Sequence, residues 1–253
     1  MVVTEEKYEF ELTDEVRDKI QNAQNRHLLI SEDDVADLVY VDKPGKFYCA
    51  VKRIADMILS CLGLIVLSVP MALIALAIYI DDPGRVFFRQ YRVGRNGKRF
   101  RFYKFRTMKE NTPKYLSTSE VEDPDLYITK LGKFLRKSSL DELPQLVNVF
   151  RGDMSLVGPR PLISDEYEIH QMRMRFGVYN VRPGVTGLAQ INGRDTVGPA
   201  EKVRWDVKYV EGFGLAMDLK ILLSTIPKVF GCKGVVDGCG AEQYKAETAE
   251  ETK

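Results

Sequence analysis

The sequence predicts a mainly α-helical, α+β fold with one membrane-docking helix and a small β-hairpin. Three observations predict it. Met57 to Ile80 is a run of 24 residues without a charge. Two short segments of aromatic and basic residues flank Gly94-Arg95-Asn96-Gly97, a turn sequence. Several later segments, among them Leu140 to Phe150 and Leu215 to Phe230, read as amphipathic or apolar helices.

The elements follow in chain order. Residues 1–45 form an acidic extension, in which Leu12, Val16 and Ile20 have rough helical spacing and Thr13 or Asp14 suits a cap. Pro44-Gly45 ends it. Residues 46–82 are one unit. Residues 46–56 mix aromatics with cations, which suits a helix entering a membrane interface, and the uncharged run follows. A straight helix of that length spans roughly 36 Å, enough to cross a ~30 Å hydrocarbon core. Pro70 lies near its centre, removes one backbone hydrogen bond and bends the helix, and Ser68 is placed to satisfy a freed carbonyl. Both flanks are basic, with Lys46, Lys52 and Arg53 before the run and Arg85, Arg89 and Arg92 after it. Positive charge marks the cytoplasmic side, so a break-and-return path competes evenly with a spanning one.

Residues 83–231 hold the rest of the fold. Val86 to Phe88 and Phe100 to Phe105 have strand character, and residues 110–130 read as irregular. Helices are expected over Leu131 to Leu135, Leu140 to Phe150, Tyr167 to Arg175, Trp205 to Tyr209 and Leu215 to Phe230. Residues 232–253 form a polar tail.

Composition narrows the chemistry. The net charge of +1 hides two blocks: residues 1–45 carry 12 acids and 5 bases, and residues 85–109 carry ten Arg or Lys and no acid. Such segregation points to one anionic partner for one region, not to nucleic acid. The four cysteines (Cys49, Cys61, Cys232, Cys239) have no disulfide or metal spacing, and His27 and His170 are the only histidines. A histidine metal site and a Ser-His triad are therefore excluded as leading readings. The acidic N-terminus has no signal-peptide pattern.

Four motifs remain. Asp141-Glu142 follows Arg136, Lys137, Ser138 and Ser139. Adjacent helical residues point about 100° apart, so the two carboxylates can take different roles, one attacking phosphorus and one holding Mg²⁺. Standing alone, such a pair is more often a first helical turn favoured by the dipole. The basic block suits phosphate, with Lys104 and Arg106 nearest a site and Arg89, Arg92 and Arg95 assigned to anionic headgroups. In Gly158-Pro159-Arg160-Pro161 two prolines restrict the backbone around Arg160, a guanidinium suited to bidentate phosphate contact. Arg182 to Arg194 is Gly-rich, lacks the Walker and dinucleotide patterns, and reads as a loop whose glycines let backbone approach a ligand.

Together, Lys104-Phe105-Arg106-Thr107-Met108, Arg136 to Gln145, Asp153 to Pro161 and Arg182 to Gly187 closely resemble the bacterial sugar transferase family, the monotopic phosphoglycosyl transferases. The resemblance covers residues 46–231. It implies transfer of a sugar 1-phosphate from a UDP-sugar to polyprenyl phosphate with release of UMP, at the cytoplasmic face of the bacterial inner membrane. It also implies a re-entrant membrane helix broken at Ser68 and Pro70, carrying a cytosolic helical catalytic domain. By motif position Asp141 is the nucleophile, Glu142 the Mg²⁺ ligand, and Lys104, Arg106, Arg136, Arg160 and Arg194 the phosphate contacts. Val69 separates Ser68 from Pro70, where family members often have the two adjacent, and Gly212-Phe213-Gly214 stands where many carry Asn-Trp-Ser. Homo-oligomers or downstream glycosyltransferases are the further partners. Two alternatives stand beside this reading. One is direct displacement with Asp141 as metal ligand or base. The other is a non-catalytic membrane scaffold binding anionic headgroups.

Overall fold

The computed structural model describes residues 30, 33–42, 44–112, 126–164, 166–193 and 198–231. The tail, the Leu12–Ile20 spacing, Arg194, Cys232 and Cys239 lie outside them. The fold is mostly helical, with a small two-stranded antiparallel sheet as expected. A second two-stranded sheet is parallel and was not anticipated.

The apolar run folds as two helices, α1 (Lys46–Val66) and α2 (Ser68–Asp81), bent by 60° relative to each other. Pro70 supplies no N–H to continue the ladder, and the Ser68 hydroxyl donates to the Ile65 carbonyl at 2.7 Å. No single described helix is long and apolar enough to cross a membrane, but the bent pair passes by length and composition. Polarity along α1 is inverted. Its buried residues are Asp56 and Ser60, while Val51, Ile54, Ile58, Leu62 and Ile65 face outward. Gly63 admits the close crossing of Leu146, whose Cδ1 would stand 3.2 Å from an added Cβ.

The hairpin pairs β1 (Phe87–Val93) with β2 (Arg99–Phe105), from Phe87 opposite Phe105 to Val93 opposite Arg99. The first strand is longer than its three-residue expectation, because the basic residues continue an alternation. At the turn Asn96 (φ 56°) and Gly97 (φ 71°) take the left-handed conformation open to Asn and Gly. Phe100 and Phe102 point inward onto Val149 and Met154. Arg99 and Arg101 stay outside.

Helix α3 (Lys130–Ser138) starts at a Thr129 cap, whose Oγ1 accepts from the Gly132 N–H at 2.9 Å. Gly132 lies directly on the Thr107 carbonyl, which also accepts from the Thr129 N–H at 3.1 Å. A 3₁₀ turn, Leu140–Glu142, separates α3 from α4 (Gln145–Arg151). Ser139, at φ 57°, ends α3, and the expected continuous helix from Leu140 is broken because Pro144 has no N–H to give the Leu140 carbonyl, which accepts from the Leu143 N–H at 3.3 Å instead. Asn148 of α4 is fully buried. Its amide donates to the Arg101 carbonyl at 2.7 Å, and its Oδ1 accepts from the Tyr103 N–H at 3.1 Å, which fixes α4 to β2.

The remainder wraps one large core. Strand β3 (Ser155–Val157) pairs in parallel with β4 (Gly184–Thr186). Helices α5 (Tyr167–Arg175), α6 (Leu188–Ile191), α7 (Pro199–Glu211) and α8 (Leu215–Gly231) complete it, α7 being longer than expected at its N-terminal end. Val157, Ile169, Phe176, Val203, Val207, Tyr209 and Ile221 are the interior. Ile30 and Val35 join that core, and Arg204 donates to the Asp34 carbonyl and the Asp37 carboxylate, each at 2.8 Å. The described end of the acidic extension is thus packed on the body.

Candidate functional site

Asp141 sits on the 3₁₀ turn, 6% exposed. Three elements bring cations towards it. Lys104 comes from the end of β2, half-buried, its ammonium 5.2 Å from the centre of the Phe88 ring. Arg136 comes from the last turn of α3, and its Nε donates to Thr107 Oγ1 at 2.9 Å. Arg160 comes from the loop after β3, and its Nη1 donates to Glu142 Oε1 at 3.1 Å. That loop is held from behind: Arg173 donates to the Arg160 carbonyl at 2.8 Å and is locked in a buried ion pair with Asp206 at 2.5 Å.

The electrostatics follow from this packing. Burial raises the Asp141 carboxyl above its ordinary range, Glu142 pushes the same way, and Lys104, Arg136 and Arg160 oppose both. Burial also lowers the Lys104 ammonium to about 8, with Asp141 resisting and Arg136 assisting the shift. A carboxylate poised among three cations, one of them near neutrality, is the arrangement that phosphoryl chemistry requires.

Not every expected residue joins. Arg106 is 9% exposed and committed elsewhere, to Glu110 at 2.5 Å, to the Asp82 carboxylate at 3.4 Å and to the Asp82 carbonyl. Its placement among the phosphate contacts is therefore corrected: it closes the turn between α2 and β1. Arg92 and Arg95, assigned by sequence to headgroups, turn inward. Arg92 lies 5.4 Å from the centre of the Phe102 ring and donates to the Pro161 carbonyl at 3.2 Å. Burial lowers it to about 10, and the charges of Arg160 and Glu142 act on it, so it stands behind the Arg160 loop. The strand alternation that pairs Arg92 with Gln90 and Phe88 was the available signal.

The glycines of the Arg182–Arg194 stretch also have another use than the one expected. A Cβ on Gly184 would stand 2.1 Å from the Gly158 nitrogen, and one on Gly187 would stand 2.1 Å from the Gly158 carbonyl. They let β3 and β4 close on each other, and so set the height of Arg160. Gln145 opens α4 just beyond the carboxylates, 2% exposed, with its Nε2 unpaired among the described residues.

Comparison with known proteins decides the lineage. The model of the family described as bacterial sugar transferase matches residues 47–232. The chain belongs to the bacterial sugar transferase family. It is an enzyme, a phosphoglycosyl transferase. The chain is 40% identical over 197 residues to the exopolysaccharide production protein ExoY of Sinorhizobium fredii, covering 72% of this chain and 87% of that one. It is 40% identical over 190 residues to an uncharacterized sugar transferase, EpsL, of Bacillus subtilis, covering 73% and 90%. It is 41% identical over 189 residues to the UDP-glucose:undecaprenyl-phosphate glucose-1-phosphate transferase of Escherichia coli, covering 71% of this chain and 40% of that longer protein.

Among the described residues no group of three His, Cys, Asp or Glu is placed to hold a metal. Mg²⁺ needs no such cage. It binds through one or two carboxylates and completes its shell with substrate phosphates and water, and the Asp141-Glu142 pair fits that demand.

Proposed function

We propose that this transferase moves a sugar 1-phosphate from a UDP-sugar to polyprenyl phosphate, by way of a covalent aspartyl intermediate. The observation that carries the reading is the buried Asp141 carboxylate among Lys104, Arg136 and Arg160. The named activity of the Escherichia coli relative supports the substrate classes.

An Asp141 oxygen attacks the β-phosphorus of the UDP-sugar. The bond from that phosphorus to the bridging oxygen breaks, and UMP leaves with the electron pair. A phosphate oxygen of the lipid then attacks the same phosphorus. The acyl phosphate bond breaks, polyprenyl diphosphate sugar forms, and the Asp141 carboxylate returns. Lys104, Arg136 and Arg160 hold the phosphates and offset the charge that builds up in transfer. Glu142 would hold Mg²⁺, which would neutralise phosphate charge when bound.

The outward apolar face of α1 supports docking in the cytoplasmic membrane. The 60° bend supports a re-entrant path with both ends of the pair on the cytoplasmic side.

The test is a single-turnover experiment with a UDP-hexose and no lipid. About one equivalent of UMP per active site is expected, together with a sugar-phosphate adduct on Asp141. Asp141→Asn should lose the burst and slow turnover roughly 10³-fold or more. UMP that appears only with polyprenyl phosphate present would replace the two-step path by direct displacement. No UMP under either condition would mean that the hexose offered is not the donor, and a UDP-N-acetylhexosamine would take its place in the same experiment.

A further inference from the structure

A second polar cavity opens at the root of α1, on residues that the Asp141 site does not use. Its enclosed volume is about 20 Å³, and Lys52, Asp56, Arg95, Ser155, Asn180 and Arg182 line it. Two buried donors face this region without acceptors among the described residues: the Ser155 hydroxyl, on a residue 1% exposed, and the Arg95 Nε. An unpaired buried donor costs about 1–3 kcal/mol, so such a pair in one cavity calls for an acceptor.

The charges around it favour an anion. Lys52 is held by Asp218 at 2.5 Å, and Asp56 Oδ1 accepts the Leu156 N–H at 3.1 Å. Arg182 spends its Nε on the Gly152 carbonyl at 2.9 Å, and Arg53 sends its guanidinium to the Val149 and Phe150 carbonyls at 2.7 and 2.8 Å. Arg53 and Arg182 thus end on neutral carbonyls, and Asp56 is the one carboxylate in the lining. The positive charges crowd one another, and Arg182 is lowered by burial and by Arg95 and Arg53.

We infer that this cavity is a second phosphate-binding site, taking a phosphomonoester or phosphodiester group on Arg95, Arg182 and the Ser155 hydroxyl. Two sources share that chemistry, free phosphate and the headgroup of an anionic lipid beside α1. The cavity joins the first half of α1 to the strand that leads to Arg160, so occupancy would brace the helix against the catalytic body. The inference stands independently of the proposed reaction.

The test uses the full chain in nanodiscs of phosphatidylcholine, with ³¹P NMR and thermal melting at matched ionic strength. Saturable binding of inorganic phosphate with a rise in Tm is expected. Arg95→Gln and Ser155→Ala should each weaken it about ten-fold, the loss of one charge-assisted or buried hydrogen bond. Asp141→Asn should leave it unchanged. If free phosphate has no effect but nanodiscs containing phosphatidylglycerol give the same variant-sensitive rise, the headgroup is the ligand. Absence of both effects would overturn the inference. So would binding insensitive to both variants, or binding displaced by UMP, which would assign the cavity to the nucleotide. Ser155→Ala removes only a hydroxyl, so it reads the site even if Arg95→Gln fails to fold.

Discussion

At the scale of single residues, the site turns on two displaced ionisations. As the proposed nucleophile Asp141 must be a carboxylate, and burial holds its pKa above the ordinary range. Turnover should therefore fall with acid at a higher pH than a free aspartate would set. In its proposed phosphate-holding role Lys104 must be protonated, and burial lowers it to about 8, so activity should fall again as pH rises past that value. A bell-shaped kcat/KM profile is expected, and Lys104→Arg should extend its alkaline limb. Glu142→Gln should raise the Mg²⁺ concentration needed for half-maximal rate several-fold while the Tm stays within a few degrees, because Glu142 is partly exposed on a turn. An unchanged Mg²⁺ dependence would remove it from the metal role. Asp141, Glu142, Arg136 and Arg160 were legible because their motifs are contiguous in the chain. Arg106 was misread because its partners, Asp82 and Glu110, are set by the turn after α2. Arg92 was misassigned because a count of charges carries no direction.

Among the elements, legibility follows the range of the forces. Helix α5 and the hairpin turn appeared where local pattern put them, since capping, alternation and left-handed Asn-Gly positions are local. Strands β3 and β4 were read as loops because each is three residues long and is defined only by its partner across the sheet. The α1–α2 bend was half legible: Pro70 announced it, but its angle depends on Met71, Ile74 and Ala75 packing with Phe105 and Leu135. Pro70→Ala restores the missing N–H and should straighten the pair. Cysteines introduced at Lys46 and Arg85 should label from the same side in the parent protein. In the Pro70→Ala variant a fraction should label from opposite sides, and unchanged labelling would place the cause of the bend in tertiary packing.

For the whole molecule, helix α1 is bolted to the body at several points. Arg53 ties α1 to the end of α4, Asp56 ties it to β3, and Tyr48 and Lys52 tie it to Asp218 of α8 at 2.7 and 2.5 Å. Asp218 also accepts from Tyr209 at 2.9 Å, so one carboxylate serves three donors. Asp218→Ala should cost about 3–5 kcal/mol, since it leaves the Lys52 ammonium and the Tyr48 hydroxyl without their acceptor, while Tyr209 keeps the Val157 carbonyl at 3.0 Å. A lower Tm and faster proteolysis near Pro44 would register it, and a change under 1 kcal/mol would mean that α1 is held by Arg53, Asp56 and packing without help from Asp218. The 60° bend gives this rigid mount a further consequence. A spanning helix must match its apolar length to the bilayer and tilts or stretches when the two differ. On the proposed re-entrant path the bent pair touches only one leaflet and meets no far boundary. Hydrophobic mismatch then has little to act on, and the enzyme should tolerate short and long acyl chains alike.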